Sequence, residues 1–319
     1  MTLKELAVAA MAQNKTAALL IGGTGFAVLG LCLGYKYLWK PEKVVRVGIV
    51  SQIFIHPLKS GKTASMTSAE CQKLGLRVGD LRDRHWLVVT EDGHMVTGRQ
   101  EPRLVLVSLT CQGGQVCLNG PNMEELKFPI KQPDNPVIDC SVYRTDIQGR
   151  DCGDEASQWL TRFLGGRKTF RLLHFQPEMK AKRPVGRKPL FQQFEQMAYK
   201  DIAAVMLLSE ASVKDLSSRL GKNLTAAQFR PNIVIGECEA FEEVGSSEEI
   251  QIGSVRLHRI MSCGRCTFTT VDPETGIMNR KEPLKTLRRE THLQVVTAVR
   301  TVKKTGILQV GDVVYKISR

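Results

Sequence analysis

Val255 to Gly276 reads VRLHRIMSCGRCTFTTVDPETG. Val255 to Met261 alternates apolar and polar residues, the period of a half-buried strand, so Cys263 and Cys266 fall just past a strand end. There the backbone is held by a sheet while side chains can face a cleft. Asp272-Pro273 and Thr275-Gly276 then supply turn chemistry. A thiolate on such an edge can act as a nucleophile, a redox thiol or a ligand to a soft metal.

Working outward, the C-terminal half is rich in strand signals with a few helices between them. Val205 to Leu208 is a short buried run, Ser209 caps a helix from Glu210 to about Leu220, and Gly221 closes it. Thr225 to Gln228 has the form of a capping box, and Phe229-Arg230-Pro231-Asn232 leads into a strand from Ile233 to Gly236. Strands at 250–252 and 255–261, joined at Gly253-Ser254, deliver the chain to the cysteines. A helix from Glu282 to Arg289, an alternating run from Leu293 to Val302 and a closing VGDVVYKI follow.

Upstream, VGIVSQIFIHP alternates from Val47 and stops at Pro57. Lys59-Ser60-Gly61-Lys62 reads as an ordinary solvated turn, with the basic residues and glycine that could also cradle an anion. Arg84 to Thr90 and His94 to Arg99 form a hairpin about Asp92-Gly93. Strands continue at 103–111, 115–118 and 137–148. Asp154 caps a helix whose Ala156, Trp159, Leu160 and Phe163 make a core stripe, and Thr169 to Phe175 is a strand.

Residues 16–35 carry no charge over a length that spans roughly 30 Å as a helix, and Tyr35, Tyr37 and Trp39 follow as interfacial aromatics would. Lys36, Lys40, Lys43 and Arg46 come after it, which places the large C-terminal body on the cytosolic side. The divisions are a targeting and membrane anchor at 1–39, a linker at 40–46, a β-rich domain at 47–178 and a second domain at 179–319. The basic run from Met179 to Pro189 marks the boundary, as a solvated linker or as a docking surface for an acidic group.

The chain of 319 residues is 42% hydrophobic, enough for two cores. Its nine cysteines are odd in number and scattered, the pattern of free thiols in a reducing compartment. A net charge of +13 implies an anionic partner. The 6% aromatic content and the lack of a standard motif argue against nucleic acid.

The Cys-x-x-Cys pair lacks the further ligands of a structural zinc and does not open a helix as a thioredoxin-like pair would. It reads equally well as two inert buried thiols. The basic and polar residues Lys59, Arg84, Arg99, Arg230, Asn232 and Arg265 sit at predicted strand ends and together could hold a polyanion. A thiolate beside such a cleft suits a metal cofactor with a phosphorylated organic ligand.

FRPNIVI, CGRC, TTVDPETG and RKEPL, with KSGK and LRDRHWLVVTEDG upstream, resemble the mitochondrial amidoxime-reducing components over about residues 47–288. These are membrane-anchored members of the molybdenum-cofactor-sulfurase C-terminal (MOSC) superfamily. The resemblance implies a β-rich α+β fold: a β-rich MOSC-associated N-terminal domain and a barrel-like MOSC domain, preceded by one transmembrane helix. It implies a molybdenum–molybdopterin cofactor with Cys266 as the metal ligand, and Lys59, Ser60, Arg84, Asp201, Arg230 and Asn232 as cofactor contacts. Cys263 matches a second thiol that is not the ligand, and Gly264 stands where a polar side chain is usual.

It also implies reduction of N-hydroxylated compounds such as amidoximes, with electrons from NADH through cytochrome b5 reductase and a membrane-bound cytochrome b5. The implied location is the outer mitochondrial membrane facing the cytosol, with the peroxisome as a second address. A pyridoxal-dependent cofactor sulfurase would need a large aminotransferase-like domain that is not here. Two departures stand out: Ala203-Ala204 replaces a polar–proline pair, and RRETHLQVVTAVRTVKKTG after Leu287 replaces a longer aromatic stretch. If the second departure prevents barrel closure, the chain is instead a catalytically impaired, membrane-tethered cofactor- or partner-binding protein.

Overall fold

The computed structural model describes residues 42–142, 145–179, 198–201, 203–241, 249–289 and 297–318. The anchor segment and nearly all of the basic run at 179–189 lie outside them. Among the described residues no helix is long and apolar enough to cross a membrane.

The first half opens with β1 (Lys43–Ile55), β2 (Ala64–Met66), β3 (Ser68–Gln72), β4 (Gly75–Val78) and β5 (Leu81–Arg82). It continues through β6 (Trp86–Thr90), β7 (Met95–Val96), β8 (Ser108–Gln112), β9 (Gln115–Asn119) and β10 (Leu126–Pro129). The hairpin β11 (Val137–Val142) and β12 (Thr145–Asp151), helix α1 (Asp154–Phe163) and β13 (Phe170–His174) complete it. The second half runs β14 (Val205–Ser209), α2 (Glu210–Leu220), α3 (Ala226–Phe229), β15 (Ile233–Gly236), β16 (Glu249–Ile252) and β17 (Val255–Ser262). It ends with α4 (Leu284–Arg289), β18 (Thr297–Lys304), β19 (Gly306–Gln309) and β20 (Val313–Ser318).

The main sheet orders its strands β15-β14-β18-β17-β16-β20-β1-β2, and β15 also pairs with β1. Seven strands therefore close on themselves with β2 as an appendage, and closure removes the unpaired edges of an open sheet. β14 and β15 are parallel, Leu207 opposite Ile233, with α2 and α3 making the crossover that a parallel pair requires. The remaining sheets are β11-β12-β13-β6-β7, β19-β3-β4-β5 and β10-β9-β8.

The two sequence halves exchange strands. β1, from the first half, closes the barrel between β15 and β20, while β19, from the second half, pairs with β3. β1 also begins at Lys43, inside the stretch read as a linker. Its apolar alternation slips between Val50 and Ile53, both fully buried, because a bulge between Val50 and Gln52 puts an extra residue opposite β15.

β18 forms from the substituted stretch after Leu287. It pairs with β14 through Val299 opposite Val205, and with β17 through Thr297 opposite Ser262. The replacement thus fills its place in the closed sheet.

Local signals mostly hold. Ser209 Oγ accepts the Ser212 amide at the start of α2, and Gly221 ends it at φ +58°. The α1 stripe of Ala156, Trp159, Leu160 and Phe163 is buried, each large side chain contributing about 1.5–3 kcal/mol. Gly153, not Asp154, is the N-cap, and Asp154 lies in the first turn near the positive end of the helix dipole. Residues 102–106 are a 3-10 turn rather than strand, since Pro102 cannot donate to a ladder and its fixed φ starts a turn. The run 137–148 is a hairpin of two strands. Neither capping-box bond forms at Thr225: its side chain makes no capping bond, and the Gln228 side chain reaches the Thr269 carbonyl instead.

Candidate functional site

Six loops meet in one cleft of about 210 Å3: those following β1, β7 and β17, and those preceding β6, β14 and β15. The cleft brings together the seven residues read as cofactor contacts, Lys59, Ser60, Arg84, Asp201, Arg230, Asn232 and Cys266, with Arg99 and Arg265 from the predicted basic set and the second thiol, Cys263. Among the described residues its basic lining is Lys59, Arg84, Arg99, Lys200, Arg230 and Arg265, six against the single acidic Asp201. Such a surface attracts anions.

The turn read as solvated at Lys59–Lys62 is buried at its first three positions, with Lys59 and Ser60 only 5% and 6% exposed. Lys59 Nζ donates to the Tyr199 carbonyl at 2.7 Å and forms an ion pair with Asp201. Ser60, Arg84 and Arg230 all adopt positive φ, at 66°, 56° and 56°. Non-glycine residues seldom take this conformation, and three in one cleft mark a backbone whose strain is held by its surroundings.

Arg84 and Arg230 lie side by side. Arg84 donates through Nη1 to Asp83 Oδ2 at 2.6 Å and through Nη2 to the Arg230 carbonyl at 3.1 Å. Arg230 donates through Nη1 to the Gly61 carbonyl at 2.6 Å, and its guanidinium stands 5.4 Å from the centre of the Phe268 ring. Its Nη2 is buried with no hydrogen-bond partner among the described residues. Burial, and then the charge of Arg84, press against ionisation of Arg230, partly offset by Asp83 and Asp201. Because an arginine keeps its proton in a protein, an anion relieves this pressure.

Asn232 is 1% exposed and its amide is already engaged. Its Oδ1 accepts the Met206 amide at 3.2 Å and its Nδ2 donates to the Phe54 carbonyl at 3.2 Å, tying β14 to β1. Asn232 therefore shapes the cleft wall.

Cys266 is exposed and Cys263 half-buried. Cys266 heads a 3-10 turn at Thr267–Thr270, and its carbonyl accepts both the Thr269 amide and the Thr269 hydroxyl, at 3.1 and 2.8 Å. α3 grips this turn from outside: Arg265 donates to the Phe229 carbonyl at 3.1 Å, and Gln228 Nε2 to the Thr269 carbonyl at 2.8 Å. Gly264 has open space where a Cβ would be.

Chain comparisons give the family. Residues 47–167 match the MOSC N-terminal beta barrel domain, and residues 195–315 match the MOSC domain. The chain is 55% identical over 325 aligned residues to mitochondrial amidoxime-reducing component 1 of Danio rerio, with all of both chains covered. It is 43% identical to component 1 of Homo sapiens, over 93% of this chain and 94% of the relative. It is 47% identical to component 2 of Bos taurus, over 86% and 85%.

The chain belongs to the mitochondrial amidoxime-reducing component family. In this family member the sequence reading missed the lining residues Lys200, Gln228 and Phe268 and the buried Asp83 behind them. Asp83, Lys200 and Gln228 make positioning bonds and Phe268 packs against Arg230, and only Asp83, set between two arginines, had a local signal. Among the described residues no group of three or more His, Cys, Asp or Glu side chains could hold a metal ion. The orphaned Arg230 Nη2, the basic lining and the exposed Cys266 thiol fit a metal cofactor with a phosphorylated organic ligand.

Proposed function

We propose that this chain is a molybdenum-cofactor oxidoreductase that reduces N-hydroxylated compounds, amidoximes among them. The observation that carries the reading is the joining of an exposed thiol, Cys266, and an unpartnered buried guanidinium nitrogen, on Arg230, in one basic cleft. Arg230 and Lys59 hold the pterin phosphate, Ser60 and Asp201 complete that wall, and Cys266 is the protein ligand to molybdenum. When bound, the cofactor supplies the two-electron chemistry that, with two protons, breaks the substrate N–O bond and releases the oxygen as water.

The chain's own residues orient and anchor. The bonds from Thr269 to the Cys266 carbonyl fix the thiol's direction, and Arg84 braces the Arg230 carbonyl. Asn232 keeps β14 and β1 at the spacing the cleft needs. Electrons come from NADH through cytochrome b5 reductase and a membrane-bound cytochrome b5. The body faces the cytosol from the outer mitochondrial membrane, held by the segment at 16–35, with the peroxisome as a second address.

The two-sided pairing of β18 supports a closed, cofactor-competent barrel over an impaired binding protein. Full-length protein, reconstituted with cytochrome b5, its reductase and NADH, is expected to convert benzamidoxime to benzamidine. Cofactor-loaded protein that turns over no N-hydroxylated substrate under these conditions would refute the proposal.

A further inference from the structure

LRDRHW places Asp83 between two arginines, and the fold buries it completely. Its Oδ2 accepts from Arg84 Nη1 at 2.6 Å and from Lys200 Nζ at 2.9 Å, and its Oδ1 accepts the His56 amide at 2.8 Å. The three donors sit on three separate cleft loops. His56 leads into Lys59 and Ser60, Arg84 precedes β6, and Lys200 precedes Asp201.

Lys200 is 2% exposed and also donates to the Ala204 carbonyl at 2.7 Å. Burial would raise the Asp83 pKa, but Arg84 and Lys200 hold the group well below the usual carboxylate range, so it is an anion. Burying such a cluster is costly, and apolar replacements of similar shape are often as stable, so stability alone does not account for it.

We infer that Asp83 is a positioning residue for the cleft's anion site. It fixes the Arg84 guanidinium so that Nη2 braces the Arg230 carbonyl, and it ties the loops of Lys59, Arg84 and Asp201 to one point. The inference rests on the proposed cofactor only for the identity of the natural anion. Geometry rather than charge is the contribution: a lysine at position 84 keeps the charge but lacks the planar fork that reaches Asp83 and Arg230 together.

The test uses the full-length chain and the variants Asp83→Asn, Arg84→Lys and the two combined. Each is made in a cofactor-producing host, for molybdenum and pterin content, and in a cofactor-deficient host, for the rise in unfolding temperature given by inorganic phosphate. Both single variants are expected to lose at least tenfold in cofactor occupancy and most of the phosphate shift, and the combination to lose no more than either. A merely structural role lowers the starting unfolding temperature and leaves the phosphate shift intact, which overturns the inference.

Additive losses overturn it too, as does a parent with no phosphate shift. If Asp83→Asn does not fold, Arg84→Lys decides: a folded protein with parental shift and occupancy overturns the inference, and one that has lost both supports it. A parent that carries no molybdenum, yet shows a phosphate shift that both variants lose, refutes the cofactor and leaves the positioning role standing.

Discussion

The Phe268 ring lies against Gly98 so closely that a Cβ at position 98 would stand 2.1 Å from the ring. Phe268 belongs to the turn headed by Cys266, and Gly98 to the loop after β7. The contact therefore locks the thiol turn of the second half onto the first, and the same ring carries Arg230 on its face. A rigid ring cannot give way as a flexible chain end would. Gly98→Ala is expected to destabilise by about 1–3 kcal/mol through overpacking and to lower cofactor occupancy, measured by thermal unfolding and metal analysis. Full stability with full occupancy would contradict this role for the contact.

Gly75 sets a second close approach. At φ +112° its missing Cβ leaves room for Lys200 Nζ, which would stand 1.7 Å from an added methyl. Lys200 cannot retreat without leaving Asp83 and the Ala204 carbonyl. Gly75→Ala is expected to cost about 3–5 kcal/mol, the loss typical of a broken buried pair, read as a large fall in the denaturation midpoint.

Gln228 holds the Cys266 turn from α3 through the Thr269 carbonyl. Removing one neutral hydrogen bond costs about 1 kcal/mol, so Gln228→Ala should remain folded. With the cofactor removed, Cys266 in this variant should react with iodoacetamide several-fold faster than in the parent. Equal rates would show that the turn is held without Gln228.

Acid sensitivity follows from buried neutral histidines. Burial, and then the charge of Lys200, pushes the His85 pKa down to about 3, and burial with Arg230 and Arg84 lowers His56 in the same direction. Unfolded histidine titrates near about 6.5, so below that pH the unfolded chain binds protons that the native state refuses. The His85 contribution is complete above about pH 6.5 and declines by about 1.4 kcal/mol per pH unit until pH falls through its folded value. Denaturation midpoints of the parent should fall between pH 7 and 5, and those of His85→Gln should fall less steeply.

Much of this architecture was legible in the sequence because it rests on local chemistry. Ser209 and Gly221 bound α2 as caps do, the Asp92-Gly93 hairpin forms, and β17 ends where Cys263 begins. The cleft residues were legible through family motifs, and the structure gathers all seven. Strand exchange was not, since nothing local tells β1 to join a barrel whose partners lie about 180 residues away, as Val50 and Ile235 do. Burial of Lys59 was hidden for a related reason: a lysine beside a glycine looks solvated until Tyr199 and Asp201 arrive from the other half. Asn232 lines the cleft as its family motif implies, but its bonds to Met206 and Phe54 across the barrel wall had no local signal, because sequence does not show which strands a side chain joins.

The central claim is that Cys266 binds molybdenum in this cleft. Molybdenum and pterin content should be measured on the full-length chain from a cofactor-producing host, beside Cys266→Ser. The account predicts near-stoichiometric metal in the parent and its loss in a Cys266→Ser protein that unfolds as cooperatively as the parent. Molybdenum retained by Cys266→Ser, with full N-reductive activity, would contradict it.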